Sequence, residues 1–562
     1  MAWETLSAMR DLPRLHEITT VFIRHGLGDM VRRLGIGTVL ERGGRMLHWG
    51  ERPETTHLEP AQRVRLALEE LGPTFVKLGQ VLSTRVDLFP PHWIAQFEKL
   101  QSSVPPVPFS ELLPELEQAL GRSPFEIFPE LDTSPYASAS IAQVHLAKLA
   151  DGAQVILKIR RPGIRAKIDA DLRILAHVAH LIESELPDSR RYAPVEIAAE
   201  FGRSLARELD LAMEARNIDR FAKNFANDPT VVMPKVYWEW TSEVMNVQSH
   251  IEAIPGNDLA AIQTAGLDRK ALAQRGAAAV LKMILIDGFF HADPHPGNVF
   301  YLPGNRIAMI DFGMVGRLTP HRRGQIIDLV AGMARVDDTA MLEVLLDWSG
   351  EAYVDQRKLA VDVDELVFQY EDMPLKDIRM GIVLRQFTTI MREHSIILPS
   401  DLTLMFKALI TLEGLGRQYD PDFHILDHLT PLLKRAMNER YSPTAILRRG
   451  RHSLREIVEV FASVPRDVAA LIRDARRGKM RVDLDLKRLD RFEKQLDQTI
   501  DRITMGIMTA SLVIGSSIIM TVPGQLTLFG MPLLTMLGLV GYIVAFFNSL
   551  WIIWGIWRQR RE

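Results

Sequence analysis

The run His291-Ala292-Asp293-Pro294-His295-Pro296-Gly297-Asn298, followed by the acidic turn Asp311-Phe312-Gly313, constrains this chain more than any other feature. Between the two, Ile307-Ala308-Met309-Ile310 reads as a short apolar strand that delivers Asp311 beside the first run. The spacing H-x-D-x-x-x-x-N with a following D-F-G is one that phosphoryl transfer demands. One Asp must orient the attacking group, while an Asn and a second Asp hold the Mg²⁺ that neutralises the phosphates. A lone D-F-G arises by chance in roughly one chain in ten of this length. Strand, turn and spacing together carry the reading: Asp293 is the candidate catalytic residue that orients the attacking group, and Asn298 and Asp311 are the candidate metal ligands.

The other parts of such a site are sought upstream. Ile141–Leu149 reads as a strand, Asp151-Gly152 as a tight turn and Gln154–Ile159 as the returning strand. Lys158 closes the apolar triplet Val155-Ile156-Leu157, as the lysine of V-A-I-K does in protein kinases. A flexible cation there can pair with phosphate oxygens and with an acid on the following helix. Where a protein kinase carries G-x-G-x-x-G, this chain has Ala137-Ser138-Ala139-Ser140-Ile141-Ala142-Gln143. Small residues still allow backbone to approach a phosphate closely, but alanine does not visit positive φ as glycine does. Ala137, Ser138, Ala139, Ser140, Ile141 and Gln143 are therefore candidate nucleotide-binding positions alongside Lys158. No A-P-E follows D-F-G, so the usual peptide platform is not signalled. The expected fold is α+β, a two-lobed protein-kinase-like fold.

Composition adds limits. With 562 residues and a net charge of -3, no overall field marks a nucleic-acid binder. The absence of cysteine excludes disulfides, thiolate metal sites and cysteine nucleophiles, and the N-terminus shows no secretory signal. From Ile503 to Trp557 there is no charged residue. Ile503–Val522 and Leu533–Ile556, separated by Pro523-Gly524-Gln525, are each long enough as helices to cross a hydrocarbon core of about 30 Å. Arg502 precedes the first and Arg558, Arg560 and Arg561 follow the second, so a hairpin with both ends in the cytoplasm is expected. Trp551, Trp554 and Trp557 suit a headgroup layer. Neither span carries an ionisable residue, which favours an anchor over a transport path. Upstream, 434–502 is expected to be helical and basic, with arginine clusters around Arg448 and Arg476 that would attract anionic lipid or form a solvated face. Gly506, Ala510 and Gly515 on the first span would allow helix pairing and so a homodimer.

Four segments in order carry a family resemblance. The alanine/serine loop is one. Leu71-Gly72-Pro73-Thr74-Phe75-Val76-Lys77-Leu78-Gly79-Gln80, containing K-x-G-Q, is another, and it continues through Val81–Pro91. Glu208-Leu209-Asp210 supplies E-x-D, with Glu214 close behind, and the catalytic-loop and D-F-G pair completes the set. Together they resemble the UbiB family of atypical kinase-like proteins, required for ubiquinone biosynthesis. The resemblance implies that the K-x-G-Q segment folds over the place where a protein substrate would dock. Lys77, Gly79 and Gln80 would then be regulatory, with Lys77 and Gln80 approaching Glu208, Asp210 and the nucleotide, and Glu214 would pair with Lys158. Helical geometry agrees in part: Asp210 and Glu214 are four apart and share a face, while Glu208 points elsewhere, so the two acidic positions would serve different lysines. Gln248-Ser249 stands where family members often carry Met-Glu in the interlobe hinge, which bears on nucleotide preference.

The domain organisation read from the sequence is an N-terminal helical extension (1–108), an N-lobe (109–253), a C-lobe (254–433), the basic region (434–502) and a transmembrane hairpin (503–557). The Pro-rich run Val104–Pro108 is the joint between extension and N-lobe. The implied function is an atypical kinase or ATPase using ATP (or ADP) and Mg²⁺ in support of ubiquinone biosynthesis. It would sit on the cytoplasmic face of a bacterial inner membrane, with membrane lipids, quinone intermediates or quinone-pathway enzymes as partners. The alternatives are a catalytically silent, nucleotide-gated lipid-binding scaffold and a small-molecule phosphotransferase.

Overall fold

The computed structural model describes residues 6–34, 36, 57–100, 104–186, 189, 192–335, 337–349, 354–371, 373, 378–440, 505, 507–519, 527–528 and 531–559. Two compact units share them, 1–446 and 447–562. The basic region expected over 434–502 lies outside the described residues after 440.

The first unit opens with helices. α1 (Leu6–Arg24), α2 (Pro60–Leu71), α3 (Pro73–Thr84) and α4 (Pro91–Phe97) form the N-terminal extension. Proline begins the last three, where its missing N–H costs nothing and its fixed φ suits the first turn. Gly72, at a φ of 92°, ends α2 and turns the chain directly into α3. Leu15, Leu68, Phe75 and Phe97 close a core that also takes in Ile174 of α6, defined below.

The N-lobe follows α5 (Phe109–Leu120). Strands β1 (Ala137–Ser138), β2 (Ala142–Lys148), β3 (Gln154–Arg160) and β5 (Met245–Ser249) make an antiparallel sheet in the order β1-β2-β3-β5. The expected hairpin is present, with Gly152 at a φ of 86° in its turn. Alternation along β3 does the positioning. Val155, Leu157 and Ile159 are buried against α5, so Lys158 must project from the opposite face, between Val144 and Asn246. Behind the sheet run α6 (Ile164–Glu185), α7 (Pro194–Glu208) and α8 (Leu211–Asn224).

Here one expectation fails. Residues 208–214 are not a single helix, because α7 stops at Glu208 and Asp210 is the N-cap of α8, its carboxylate accepting from Ala212 N at 3.0 Å. Asp210 and Glu214 therefore do not share a helix face. The physical reason is the preference of Asp for a cap, where its side chain satisfies an otherwise unpaired N–H.

The C-lobe is built on α9 (Arg269–Lys282), which supports a sheet in the order β4-β9-β8-β6. These strands are β4 (Val231–Val232), β6 (Ile254–Pro255), β8 (Val299–Leu302) and β9 (Arg306–Met309), and β9 is the apolar strand expected before D-F-G. A second pair, β7 (Phe289–His291) with β10 (Val315–Arg317), frames the catalytic loop. Beyond it come α10 (Pro320–Arg335), α11 (Asp338–Ser349), α12 (Gln356–Tyr370), α13 (Met380–Glu393) and α14 (Ser400–Tyr419). The sequence left this stretch unassigned; its buried faces join one continuous core with α9 and the strands.

In the second unit, helical residues 507–519 run antiparallel to α15 (Leu533–Gln559). Asn548 Nδ2 donates to Thr509 Oγ1 at 2.7 Å, and the hydroxyls of Ser517 and Tyr542 are hydrogen-bonded. The two membrane spans expected at 503–522 and 533–556 are not found as such. Among the described residues no helix is long and apolar enough to cross a membrane, and side chains of α15 are described only over 536–549.

Candidate phosphotransfer site

β7 delivers the catalytic loop and β9 delivers Asp311, and one buried histidine ties them. His291 Nδ1 accepts from Asp293 N at 3.1 Å, so its other nitrogen carries the proton and donates to Ile310 O, also at 3.1 Å. Burial pushes its pKa below the usual histidine value, which keeps it neutral in this bridging role. Asn298 Nδ2 donates to Asp293 O at 3.2 Å, and Ile310 N donates to Asn298 O at 3.0 Å. The two expected metal ligands thus stand on adjoining backbone. Asp311 has a φ of 57°, a left-handed conformation that a non-glycine residue adopts at a cost. Buried Phe312, packed on Phe221 and His291, holds it there, and Asn217 Nδ2 grips Phe312 O at 2.9 Å.

Lys158 crosses the cleft. Its Nζ lies 2.8 Å from Glu214 Oε1 and 3.0 Å from Asp311 Oδ1. Burial works to lower its pKa, but Asp311 and Glu214 more than offset this and hold it charged. Lys158 in turn holds Asp311 well below the usual carboxylate range. A cavity of about 500 Å³ opens here, bordered by Lys77, Lys158, Glu208, Glu214, Asp311 and the turn Ala139–Ile141.

The alanine loop is braced from outside this cavity. Ala139 N donates to Ala142 O at 2.9 Å, closing a tight turn. Arg161 donates to Ala139 O at 2.9 Å, Pro105 O at 3.0 Å and Ser138 Oγ at 2.6 Å, fastening the turn to the Pro-rich joint. Gln143 is fully buried and faces that joint: its Oε1 accepts from Val107 N and its Nε2 donates to Val107 O. Ala139, Ser140 and Ile141 border the cavity, whereas Ala137, Ser138 and Gln143 do not.

The K-x-G-Q helix α3 roofs the cavity. Lys77 Nζ is 2.7 Å from Glu208 Oε1. Burial pulls its pKa down, yet Glu208, Asp311 and Asp293 keep it above the ordinary lysine value. Gly79 is buried where a Cβ would lie 2.1 Å from Leu100 Cδ1 and 3.0 Å from Leu68 Cδ1, so the helix can approach only without a side chain there. Gln80 donates to Leu100 O at 3.1 Å and is not part of the cavity wall, and Asp210 serves as a helix cap. Glu208 and Glu214 thus serve separate lysines.

One neighbour of Asp293 escaped the sequence reading. Lys407 of α14 places Nζ 3.0 Å from Asp293 Oδ1, while His295 Nε2 stands 3.8 Å from Oδ2. Burial would raise the Asp293 pKa, but Lys407 and His295 outweigh it and hold it below the usual carboxylate range. A lone lysine in a helix with buried neighbours gives no local signal of such a contact.

The donor set suits Mg²⁺. Among the described residues there is no group of three or more His, Cys, Asp or Glu side chains placed to hold a metal. An Asn and an Asp fit an ion that keeps several waters and takes its other ligands from phosphate oxygens.

Gly256 N donates to Val299 O at 2.9 Å, and a Cβ on Gly256 would come within 2.8 Å of both Pro296 O and Val299 O. Gly256→Ala must therefore push on the catalytic loop. It is expected to destabilise the fold by about 1–3 kcal/mol, read as a lower thermal midpoint with reduced turnover. An unchanged midpoint would show that the loop yields freely.

Two lobes, a lysine joined to an acid behind it and to the D-F-G aspartate, and an H-x-D loop beside that aspartate define a protein-kinase-like fold with an atypical phosphate loop. Matches to family models agree. They are an ABC1 atypical kinase-like domain over residues 99–345, a UbiB helical domain over 363–424 and an ABC1/UbiB kinase-like C-terminal domain over 487–558. The chain belongs to the UbiB family. A relative from Marinobacter nauticus, named probable protein kinase UbiB, is 35% identical over 83% of this chain and 85% of its own length. One of the same name from Pseudomonas aeruginosa is 36% identical over 79% and 85%. A solved structure of Rv3197 with erythromycin, from Mycobacterium tuberculosis, matches 63% of this chain and 94% of its own at 24% identity and a TM-score of 0.42.

Proposed function

We propose that this protein is a membrane-anchored atypical kinase or ATPase that uses Mg²⁺ and ATP in support of ubiquinone biosynthesis. The observation that carries the reading is Lys158 bound at once to Glu214 and Asp311, beside a loop in which Asp293 and Asn298 are hydrogen-bonded together. Asn298 and Asp311 would hold the Mg²⁺, which supplies charge neutralisation on the phosphates. Lys158 binds phosphate oxygens while Glu214 sets its direction. Asp293 orients the attacking hydroxyl or water and takes up its proton. The turn Ala139–Ile141 provides backbone to the phosphates. Lys77, held by Glu208, controls what reaches Asp293 from above. The relatives' name, probable protein kinase UbiB, agrees with this assignment.

Anchoring rests on the second unit. Residues 503–557 lack charge, and in the described part of the antiparallel pair Ile507, Ile514, Ile518, Leu537, Phe546 and Phe547 are all exposed. An outward apolar surface of this extent is what a lipid environment covers. Cytoplasmic placement of the catalytic unit follows from the flanking arginines.

The test is Mg²⁺-dependent ATP hydrolysis by the full-length protein, with and without vesicles containing anionic lipid, beside Asp293→Asn. Expected are turnover that rises with vesicles and a fall of roughly 10²–10⁴-fold in the variant, the usual worth of a positioned base. Nucleotide binding without Asp293-dependent turnover would replace this reading with the nucleotide-gated scaffold, which the roof formed by Lys77 and Glu208 would also serve.

A further inference from the structure

Phosphoryl transfer spreads negative charge over the three equatorial oxygens of the phosphoryl group, and positive charge placed against them beyond that at the nucleotide lowers the barrier. The catalytic loop supplies little of it. Between Asp293 and Asn298 there is no Lys or Arg, and the loop's own imidazole, His295, stands 3.8 Å from Asp293 Oδ2, while His291 is buried with both ring nitrogens hydrogen-bonded to backbone. Lys158, between Glu214 and Asp311, serves the nucleotide side, and Lys77 is paired with Glu208. Lys407 reaches the acceptor side from a different part of the chain. Its ammonium sits 3.0 Å from Asp293 Oδ1 with a quarter of the side chain exposed. It is carried by α14, a helix pinned by the buried side chains of Leu402, Met405, Phe406 and Leu409.

We propose that Lys407 is a catalytic residue that neutralises the transferring phosphoryl group from the acceptor side, so that the helical segment 363–424 completes the active site. The inference rests on the phosphotransfer reading above. In the step, an oxygen of water or a hydroxyl forms a bond to the γ-phosphorus, and the bond from that phosphorus to the β–γ bridging oxygen breaks. The leaving diphosphate keeps the electron pair, and the proton of the attacking group passes to Asp293. Lys407, held 3.0 Å from Asp293 Oδ1, stands beside the attacking group and meets the negative charge that spreads over the equatorial phosphoryl oxygens as the bond to the leaving group breaks. Its attraction is therefore stronger in the transition state than in the resting enzyme, which is the condition for raising rate rather than affinity.

Lys407→Met and Lys407→Arg in the full-length chain test this. The measurements are kcat and KM for Mg²⁺-ATP, and calorimetric binding of Mg²⁺-ADP with and without aluminium fluoride as a mimic of the phosphoryl group in flight. In Lys407→Met, kcat is expected to fall by roughly 10²–10³-fold, with KM and ADP affinity nearly unchanged. Aluminium fluoride should tighten ADP binding in the wild type and no longer do so in this variant. Lys407→Arg keeps the charge and should recover most of both signals. A Met variant with wild-type kcat, or a faster one, would overturn the proposal; the faster one would make Lys407 a block on Asp293. Loss of ADP affinity together with kcat, not recovered by Arg, would reduce Lys407 to a structural contact. A wild type with neither turnover nor fluoride tightening would remove the phosphotransfer reading and this role with it.

Discussion

Asp311→Asn is expected to abolish Mg²⁺-dependent tightening of nucleotide binding and to lower turnover on the order of 10²–10³-fold or more, while leaving the protein folded. Both halves come from the same contacts. Asp311 is held ionised by Lys158, first of all, and by Lys77, so it presents a full negative charge next to the backbone that Asn298 holds through Ile310. The amide is nearly isosteric and keeps an oxygen, but it gives up the charge that a hard divalent cation requires. The fold should tolerate the change, because the Asp311 side chain is half exposed and Lys158 retains Glu214 at 2.8 Å. Lys158, the buried partner, is thus not left without an acid. Calorimetry of ADP binding with and without Mg²⁺, beside a thermal melt, separates the two effects. An Asn variant that binds Mg²⁺-nucleotide and turns over like the wild type would take the metal role away from Asp311.

The contrast between what the sequence showed and what it hid follows from range. The β2–β3 hairpin, the strand before Asp311 and the loop from His291 to Asn298 are local patterns, set by alternation, a positive-φ glycine and fixed spacing, and all were legible within a few residues of their ends. The pairing of Lys158 with Glu214 came from resemblance, and the structure supplies its geometry. Three things were missed. Gln143 is a polar residue in a phosphate-loop position, and only the folded joint at Val107 turns it away from the cavity. The break at Asp210 did carry a signal, an Asp immediately before an amphipathic run, but continuous helix propensity on both sides masked it. Lys407 meets Asp293 across more than a hundred residues of chain, through a helix whose own sequence reads as core and surface only. Contacts of that kind are fixed by packing, and no local window contains both partners.

The second large effect lies in the same long-range class. Asp87 is fully buried just beyond the K-x-G-Q helix. Its carboxylate takes Arg85 Nε at 2.9 Å and Nη2 at 2.7 Å, and also accepts Leu398 N at 3.1 Å. One side chain therefore joins the N-terminal extension to the turn between α13 and α14, and Arg392, which donates to Val86 O at 3.5 Å, reinforces the joint. Asp87→Ala leaves a buried guanidinium without its acid and a buried N–H without an acceptor. Breaking one side of a buried pair costs about 3–5 kcal/mol, far more than the pair itself is worth against an apolar replacement. The full chain is expected to show a lower urea midpoint, with faster amide exchange concentrated in 73–84 and at Leu398 rather than spread through the N-lobe sheet, whose core is separate. Asp87→Asn keeps one acceptor but turns an NH₂ towards or away from Arg85, so it should fall between the two. Double substitution of Arg85 and Asp87 by apolar residues should recover part of the loss, because it removes the stranded charge. Exchange in 73–84 that is unchanged in Asp87→Ala would mean that the roof over the catalytic cleft is held by Lys77 and Glu208 alone, and that the extension and the helical segment are anchored independently.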